Sequence, residues 1–368
     1  MPDDNANTPV LSDFAQAEQT ALKNLKQNAS HAFVTGAGGF LGKAICERLL
    51  AVGIKVTGFA RGDYPMLSAM GVTMVKGDLA DESAVLAAMQ GCDIVFHVAS
   101  KAGVWGSKQS YYSPNVDGAQ YIINACKKSN ISKLIYTSTP SVTFAGVDEN
   151  GCDESAPYAD KYLNFYGESK AVAEKMMINA SGDATLAGDK LQTVALRPHL
   201  IWGPGDPHLV PRVLERATAG RLKLVGKQDK LVDTIYVGNA AYAHILAAER
   251  LCLASSVGVK ALCAGKAYYL SNDEPITMAA MLNKILDCKS LPAVNKRVPT
   301  SVAYGVGALL ESIYSLLGKT EEPIMTRFVA RQLSTSHYFD ISAAKADLGY
   351  SAIVSIDEGM QRLKKSLA

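Results

Sequence analysis

Cysteine is the first scarcity that matters. The chain has seven, an odd number, scattered at Cys46, Cys92, Cys126, Cys152, Cys252, Cys263 and Cys288. No CxxC pair occurs and no histidine stands at ligand spacing, so neither a disulfide framework nor a metal site is indicated. That pattern fits a reducing cytoplasm. An excess of charge is missing too. A net charge of +2 gives no electrostatic case for nucleic acid. The doublets Lys127-Lys128 and Lys364-Lys365 read as solvated faces. The opening MPDDNANTPVLSDF lacks the basic and apolar regions of a signal peptide. No apolar run reaches the roughly 20 residues of a membrane-spanning helix. The most apolar stretch, VAYGVGALLESIYSLLG (302–318), contains Glu311. It is read as a buried helix, with a surface-bound helix as the alternative.

What is present is ordinary in bulk: 48% apolar and 20% charged residues over 368 positions, enough for one large domain or two smaller ones. The order of elements is more telling. Residues 1–30 read as a polar extension with one weakly amphipathic helix capped at Ser12. Short apolar strands follow at 31–36, 55–60, 72–78, 93–100, 132–139 and 191–198. Helices are predicted at 43–53, 83–91 and 115–129, and another carries Tyr166. Apolar strands alternating with helices predict an α/β fold with a doubly wound parallel sheet. After Pro198 the rhythm changes, and Pro and Gly cluster in RPHLIWGPGDPHLVPR. The expected division is a Rossmann-like domain over 31–198 and 234–272, with a smaller substrate-binding part over 199–233 and 273–368. Ligands would then lie at the carboxyl ends of the strands.

The turn VTGAGGFLGKAI (34–45) joins the first strand to the first helix. Gly36, Gly39 and Gly42 give a tight turn, a backbone that can approach a pyrophosphate, and a helix start packed on the strand. Set in a βαβ unit, this predicts dinucleotide binding. The second strand ends in Phe59-Ala60-Arg61. NAD enzymes usually place an acid there for the ribose 2′-hydroxyl. A guanidinium instead suits a 2′-phosphate, so NADP(H) is favoured; otherwise Arg61 is a solvated loop residue. Asp78 could accept from the adenine amino group.

The helix NFYGESKAVAEKM (164–176) puts Lys170 one turn after Tyr166. Such a pair arises by chance in a chain with 16 tyrosines, so its surroundings must decide. Upstream stands the glycine turn, and just before it the strand LIYTSTPSV ends in the hydroxyls of Thr137, Ser138, Thr139 and Ser141. A phenol whose pKa is lowered by a neighbouring ammonium could exchange a proton with an alcohol or ketone oxygen.

That ordered set resembles the extended short-chain dehydrogenase/reductase superfamily, over residues 31–365. The matching stretches are TGAGGFLG, GDLAD, HVAS, NVDGAQ, YTSTPSV, YGESK, LRPHLIWGPGD and VDTIYVGNAAYAH. Within it the chain looks most like the 3β-hydroxysteroid dehydrogenase branch. The stretch GPGDPHLVPRVLERATAGRLKLVGKQDKLVDTIYV is similar to bacterial members acting on long-chain 2-alkyl-3-oxo acids. The resemblance implies Tyr166 as the catalytic acid/base, Lys170 as the residue tuning it and binding the nicotinamide ribose, and Thr139, or else Ser138, as the hydroxyl holding the substrate. It also implies a supporting Asn115, and cofactor contacts from Phe40, Leu41, Leu79 and Ala99 beside the three glycines. Departures from the family pattern at Ser100, Trp202 and Gly238 are expected to touch the substrate side. The implied activity is NADPH-dependent reduction of a ketone on a lipid-like substrate by a cytoplasmic homodimer. The same residues could serve a steroid dehydrogenase or, less readily, a nucleotide-sugar epimerase. An NADP(H) sensor would be the reading outside enzymes. His97 is expected to pack beside the cofactor, His199 and His208 to line the pocket, and Arg197 to sit in an ion pair. Leu309, Leu310, Ile313, Leu316 and Leu317 recur at helical spacing. Their face would pack on the sheet, line the pocket or contact a membrane surface.

Overall fold

A computed structural model describes residues 9–368. Its centre is a seven-stranded sheet of β1 (His31–Thr35), β2 (Lys55–Ala60), β3 (Thr73–Lys76), β4 (Ile94–His97), β5 (Lys133–Thr137), β6 (Gln192–Pro198) and β7 (Lys266–Leu270). The order is β7-β6-β5-β4-β1-β2-β3, and every pairing is parallel. Parallel strands joined by crossover helices are covered on both faces, which is why β4 and β6 are buried along their whole length. Helices Phe40–Ala51 and Val237–Ser256 contribute to the core on one face. Helices Gly118–Lys128 and Phe165–Asn179 contribute to the other.

The N-terminal extension is less of a tail than its composition suggests. Helix Gln16–Asn28 packs along Val237–Ser256, burying Leu22 and Leu25 completely. Full burial stabilises each such side chain by about 1.5–3 kcal/mol. Glu18 and Arg48 form a buried ion pair beneath it. Ser12 is not the cap; the helix starts after Ala15 with no side-chain cap, and Ser12 lies in a separate 3-10 turn, Leu11–Asp13.

The remaining chain builds small sheets around the carboxyl ends. One has the strand order Ile276–Thr277, Leu231–Val232, His337–Phe339, Glu149–Cys152. Its last strand is borrowed from the loop between β5 and the tyrosine helix, which ties the two parts of the chain together.

The expectation of a buried helix at 302–318 is corrected. Helix Thr300–Leu316 buries only Ala303 and Gly307. A Cβ on Gly307 would come within 2.6 Å of the Thr326 backbone, so this side is a close backbone contact. With small residues inward at i and i+4, the large ones face outward. Val302, Val306, Leu309, Ile313 and Leu316 are all exposed, Leu309 by 61% and Leu316 by 88%. Leu310 is turned partly inward. No described helix is long and apolar enough to cross a membrane.

Candidate active site

Strand order reverses between β1 and β4, and there, at the carboxyl ends, lies a cleft of about 990 Å³. Its floor is the glycine turn. Gly36 has φ +66°, and a Cβ on it would lie 2.9 Å from the Ala99 backbone. A Cβ on Gly42 would lie 2.1 Å from the Gly36 carbonyl. Larger residues are therefore excluded at both positions. Gly39 begins helix Phe40–Ala51 with no side-chain cap. The first-turn N–H groups have no partner inside the helix, and Phe40, Leu41 and Gly42 line the cleft. Backbone, dipole and space together fit a pyrophosphate.

At the far end of this half stand Arg61, Asp78 and Leu79. Arg61 is exposed and has no ion-pair partner among the described residues. Asp63 is engaged elsewhere, by Lys76 at 2.9 Å. Asp78 accepts from the Ala80 N–H at 3.0 Å. The ring of Tyr64 lies against Gly38 and Gly62. Sequence reasoning missed this residue, although an aromatic just after the second strand is a usable signal.

The other half gathers the hydroxyl cluster and Tyr166. Thr137, Ser138, Thr139 and Ser141 reach the cleft because β5 ends at its rim. The Ser138 hydroxyl is buried without a partner, and the Thr139 hydroxyl donates to Ser141 Oγ at 3.3 Å. The tyrosine helix starts at Asn164, whose side chain caps it by accepting from the Gly167 N–H. Tyr166 is in the first turn, facing β5. Lys170, one turn on, is 2% exposed. Its ammonium donates to the Thr137 carbonyl at 2.5 Å and lies 4.1 Å from the Tyr136 ring centre. Burial lowers its pKa to about 7, with Glu174 opposing.

The expected lowering of the Tyr166 pKa is absent in the protein alone. Burial raises it, the Thr139 hydroxyl opposes the rise by hydrogen bonding, and Lys170 does not contribute. The Lys170 ammonium donates to the Thr137 carbonyl. At neutral pH the phenol is thus a protonated group beside a hydroxyl, suited to donating a proton to a carbonyl oxygen.

Asn115 lies in a π-helical turn, Ser113–Asp117, a feature frequent at functional sites. It accepts from the Lys101 N–H at 2.7 Å and donates to the Lys101 carbonyl and to Ser169 Oγ. Ser169 in turn donates to the Tyr166 carbonyl. One amide therefore registers the loop after β4 against the tyrosine helix. His97 is buried, bonded to Thr35 at 2.8 Å, and held neutral with a pKa near 3 by burial and Lys170. Arg197 forms a buried ion pair with Glu174 at 2.6 Å.

Beyond Tyr166 the cleft continues past Ala102, Val104, Pro114, Ile201 and Phe328. His199 and His208 line it as well, the former buried and the latter exposed. Of the three departures, only Ser100 does so. Trp202 points away, because side chains alternate along an extended segment and Ile201 takes the cleft side. Its indole donates to Thr234 and packs on Tyr236. The Gly238 carbonyl accepts from Arg48, remote from the cleft. Sequence reading also missed Lys101, Arg212 and Glu322. The last two pair across 110 positions of chain, and no local signal joins them.

A glycine turn that fits a pyrophosphate, a buried lysine one turn from a phenol, and a hydroxyl at a strand end suit an oxidoreductase of the alcohol/ketone type, the class to which this chain's relatives belong. The chain belongs to the 3-beta hydroxysteroid dehydrogenase/isomerase family, whose model matches residues 33–297. It is 68% identical over 351 residues to a 2-alkyl-3-oxoalkanoate reductase of Shewanella oneidensis, covering 95% of this chain and 89% of that one. A protein of the same description from Stenotrophomonas maltophilia is 48% identical over 91% of this chain and 98% of its own. Among solved structures, an epimerase from Methanothermobacter thermautotrophicus superposes with a TM-score of 0.73 over 95% of each chain at 16% identity, a likeness of fold alone.

Proposed function

We propose that this protein reduces the 3-oxo group of a long-chain 2-alkyl-3-oxo acid to the 3-hydroxy acid, using NADPH. The observation that carries the reading is the pairing of a phenol held protonated with a cleft that runs on past Ala102, Val104, Pro114, Ile201 and Phe328, in a chain 68% identical to a reductase named for that substrate. The cofactor supplies hydride when bound. Gly36, Gly39 and Gly42 with the N–H groups of Phe40 and Leu41 would hold its pyrophosphate, and Ala99, Asp78 and Leu79 would flank it. Arg61 would take the 2′-phosphate, which is supported by its having no carboxylate partner among the described residues. Thr139 orients the substrate oxygen, Tyr166 gives it a proton, Lys170 carries the positive charge beneath, and Asn115 keeps the two sides of the site in register.

The outward apolar face of helix Thr300–Leu316 supports contact with a membrane surface, where a lipid substrate concentrates. Seven free cysteines support a cytoplasmic location. A homodimer is the expectation from the superfamily resemblance, to be checked by light scattering. The deciding assay is oxidation of NADPH with freshly made 2-alkyl-3-oxo acids of increasing length, a 3-oxo steroid and a UDP-sugar. Efficiency should climb with chain length on the acids. A flat profile, or preference for the steroid or sugar, would overturn the substrate assignment.

A further inference from the structure

Among the described residues, the substrate half of the cleft holds two permanent cations, Lys101 and Arg212, and only Lys101 lacks a carboxylate partner. Arg212 is gripped by Glu322 through bonds of 3.0 and 3.3 Å. Asp206 is also occupied, accepting from the backbone N–H groups of His208, Leu209 and Val210. Lys101 is half-buried in the cleft wall and has no carboxylate partner among the described residues. Its ammonium donates to Ser110 Oγ at 2.7 Å and stands 4.7 Å from the Tyr111 ring centre. An ammonium has three donors, so two are left.

Its place is fixed by the same amide that organises the site. Asn115 holds the Lys101 backbone on both sides, N–H at 2.7 Å and carbonyl at 3.2 Å, and reaches Ser169 at 3.0 Å in the turn that follows Tyr166. The Lys101 ammonium rests over the face of Tyr111, and Tyr166 contributes to the raised pKa of that phenol. Lys101 and Tyr166 thus line the same cleft, and the Lys101 backbone is held in register with the tyrosine helix through Asn115 and Ser169.

A 2-alkyl-3-oxo acid is an anion at neutral pH, and its carboxylate lies two carbon–carbon bonds from the carbon that is reduced. We propose that Lys101 receives the substrate carboxylate, fixing which carbonyl of the molecule meets Tyr166 and selecting acids over plain ketones. This rests on the substrate reading above. It makes Lys101 a specificity-determining residue rather than a proton carrier: it moves no proton and forms no covalent bond.

The test runs in the oxidative direction, because 3-oxo acids lose carbon dioxide in solution. Wild type, Lys101→Met, Lys101→Arg and Arg212→Gln are compared with NADP⁺ on a 2-alkyl-3-hydroxy acid and on the secondary alcohol of the same chains without the carboxyl group. Lys101→Met should lose roughly 10–150-fold in kcat/KM on the acid, mainly through KM, the loss expected for one charge-assisted hydrogen bond. On the alcohol it should stay within about twofold of wild type. Lys101→Arg should recover part of the acid activity, since charge is retained, and NADP⁺ affinity should not change in either. Equal losses on acid and alcohol, or no loss on the acid, would overturn the role of Lys101 alone. An acid-selective loss in Arg212→Gln with Lys101→Met unaffected would move the carboxylate to Arg212 and overturn it too. A wild type that turns over neither compound would overturn the substrate reading, and Lys101's role with it.

Discussion

Replacing Lys170 with methionine should abolish turnover and yet stabilise the cofactor-free fold at neutral pH. The ammonium is 2% exposed, and its nearest partners are a carbonyl and an aromatic face. Burial brings its pKa from 10.5 to about 7. The unfolded chain keeps its proton up to about pH 10.5, whereas the folded chain releases it near 7. Between those values the unfolded state binds more protons, so stability rises with pH across that window. Below pH 7 the full cost applies, and at 1.36 kcal/mol per pH unit the separation amounts to about 5 kcal/mol. The Thr137 carbonyl and the Tyr136 ring offset part of it. The expected gain for Lys170→Met at pH 6 is about 1–4 kcal/mol, the range for exchanging buried ionic groups for apolar ones of similar volume. Wild type should recover about 2.5 kcal/mol relative to the variant between pH 6 and 9. Urea unfolding of both proteins at pH 6, 7.5 and 9 measures this, and the difference between them cancels groups that titrate alike in both. A variant less stable than wild type at pH 6, or a difference flat with pH, would refute the reasoning.

Other outcomes follow from the same site. Tyr166→Phe should lower turnover by about 10²–10⁴-fold while NADPH still binds, read by cofactor oxidation and fluorescence titration; near-normal turnover would remove the phenol from the chemistry. Arg61→Ala should raise the KM for NADPH by roughly 10–150-fold and barely move that for NADH; equal use of both cofactors by wild type would discard the 2′-phosphate contact. Leu309→Asp with Leu316→Asp, both on exposed positions, should abolish co-sedimentation with phospholipid vesicles and leave turnover of a short-chain soluble ketone within about twofold. Unchanged sedimentation would exclude this face as the membrane contact.

Six of the seven strands were legible in the sequence because each is a short apolar run closed by a turn; the edge strand Lys266–Leu270 and the helix Val237–Ser256 before it were not read there. Alternation of strands and helices gave a parallel, doubly wound sheet, while the strand order came from the structure. The glycine turn was legible for a similar reason: what makes Gly36 and Gly42 necessary is close backbone approach within a few residues of chain. Tyr166 and Lys170 share a helix face, and one turn of spacing was enough to pair them.

What distance along the chain hides, only the tertiary structure decided. Packing of the tyrosine helix on β5 sets the Lys170 ammonium on the Thr137 carbonyl, and burial keeps the Tyr166 phenol protonated. Trp202 and Ile201 are adjacent in sequence, but the pleat sends only one of them into the cleft. The 302–318 helix shows an apolar pattern whichever side is covered. Gly307 settles it, because close approach of the Thr326 backbone fixes the inward side and leaves Leu309, Ile313 and Leu316 outside. Lys101 gave no signal at all. Its meaning depends on which charges around it are already paired, and pairing is a property of three-dimensional neighbours that a one-dimensional pattern does not carry.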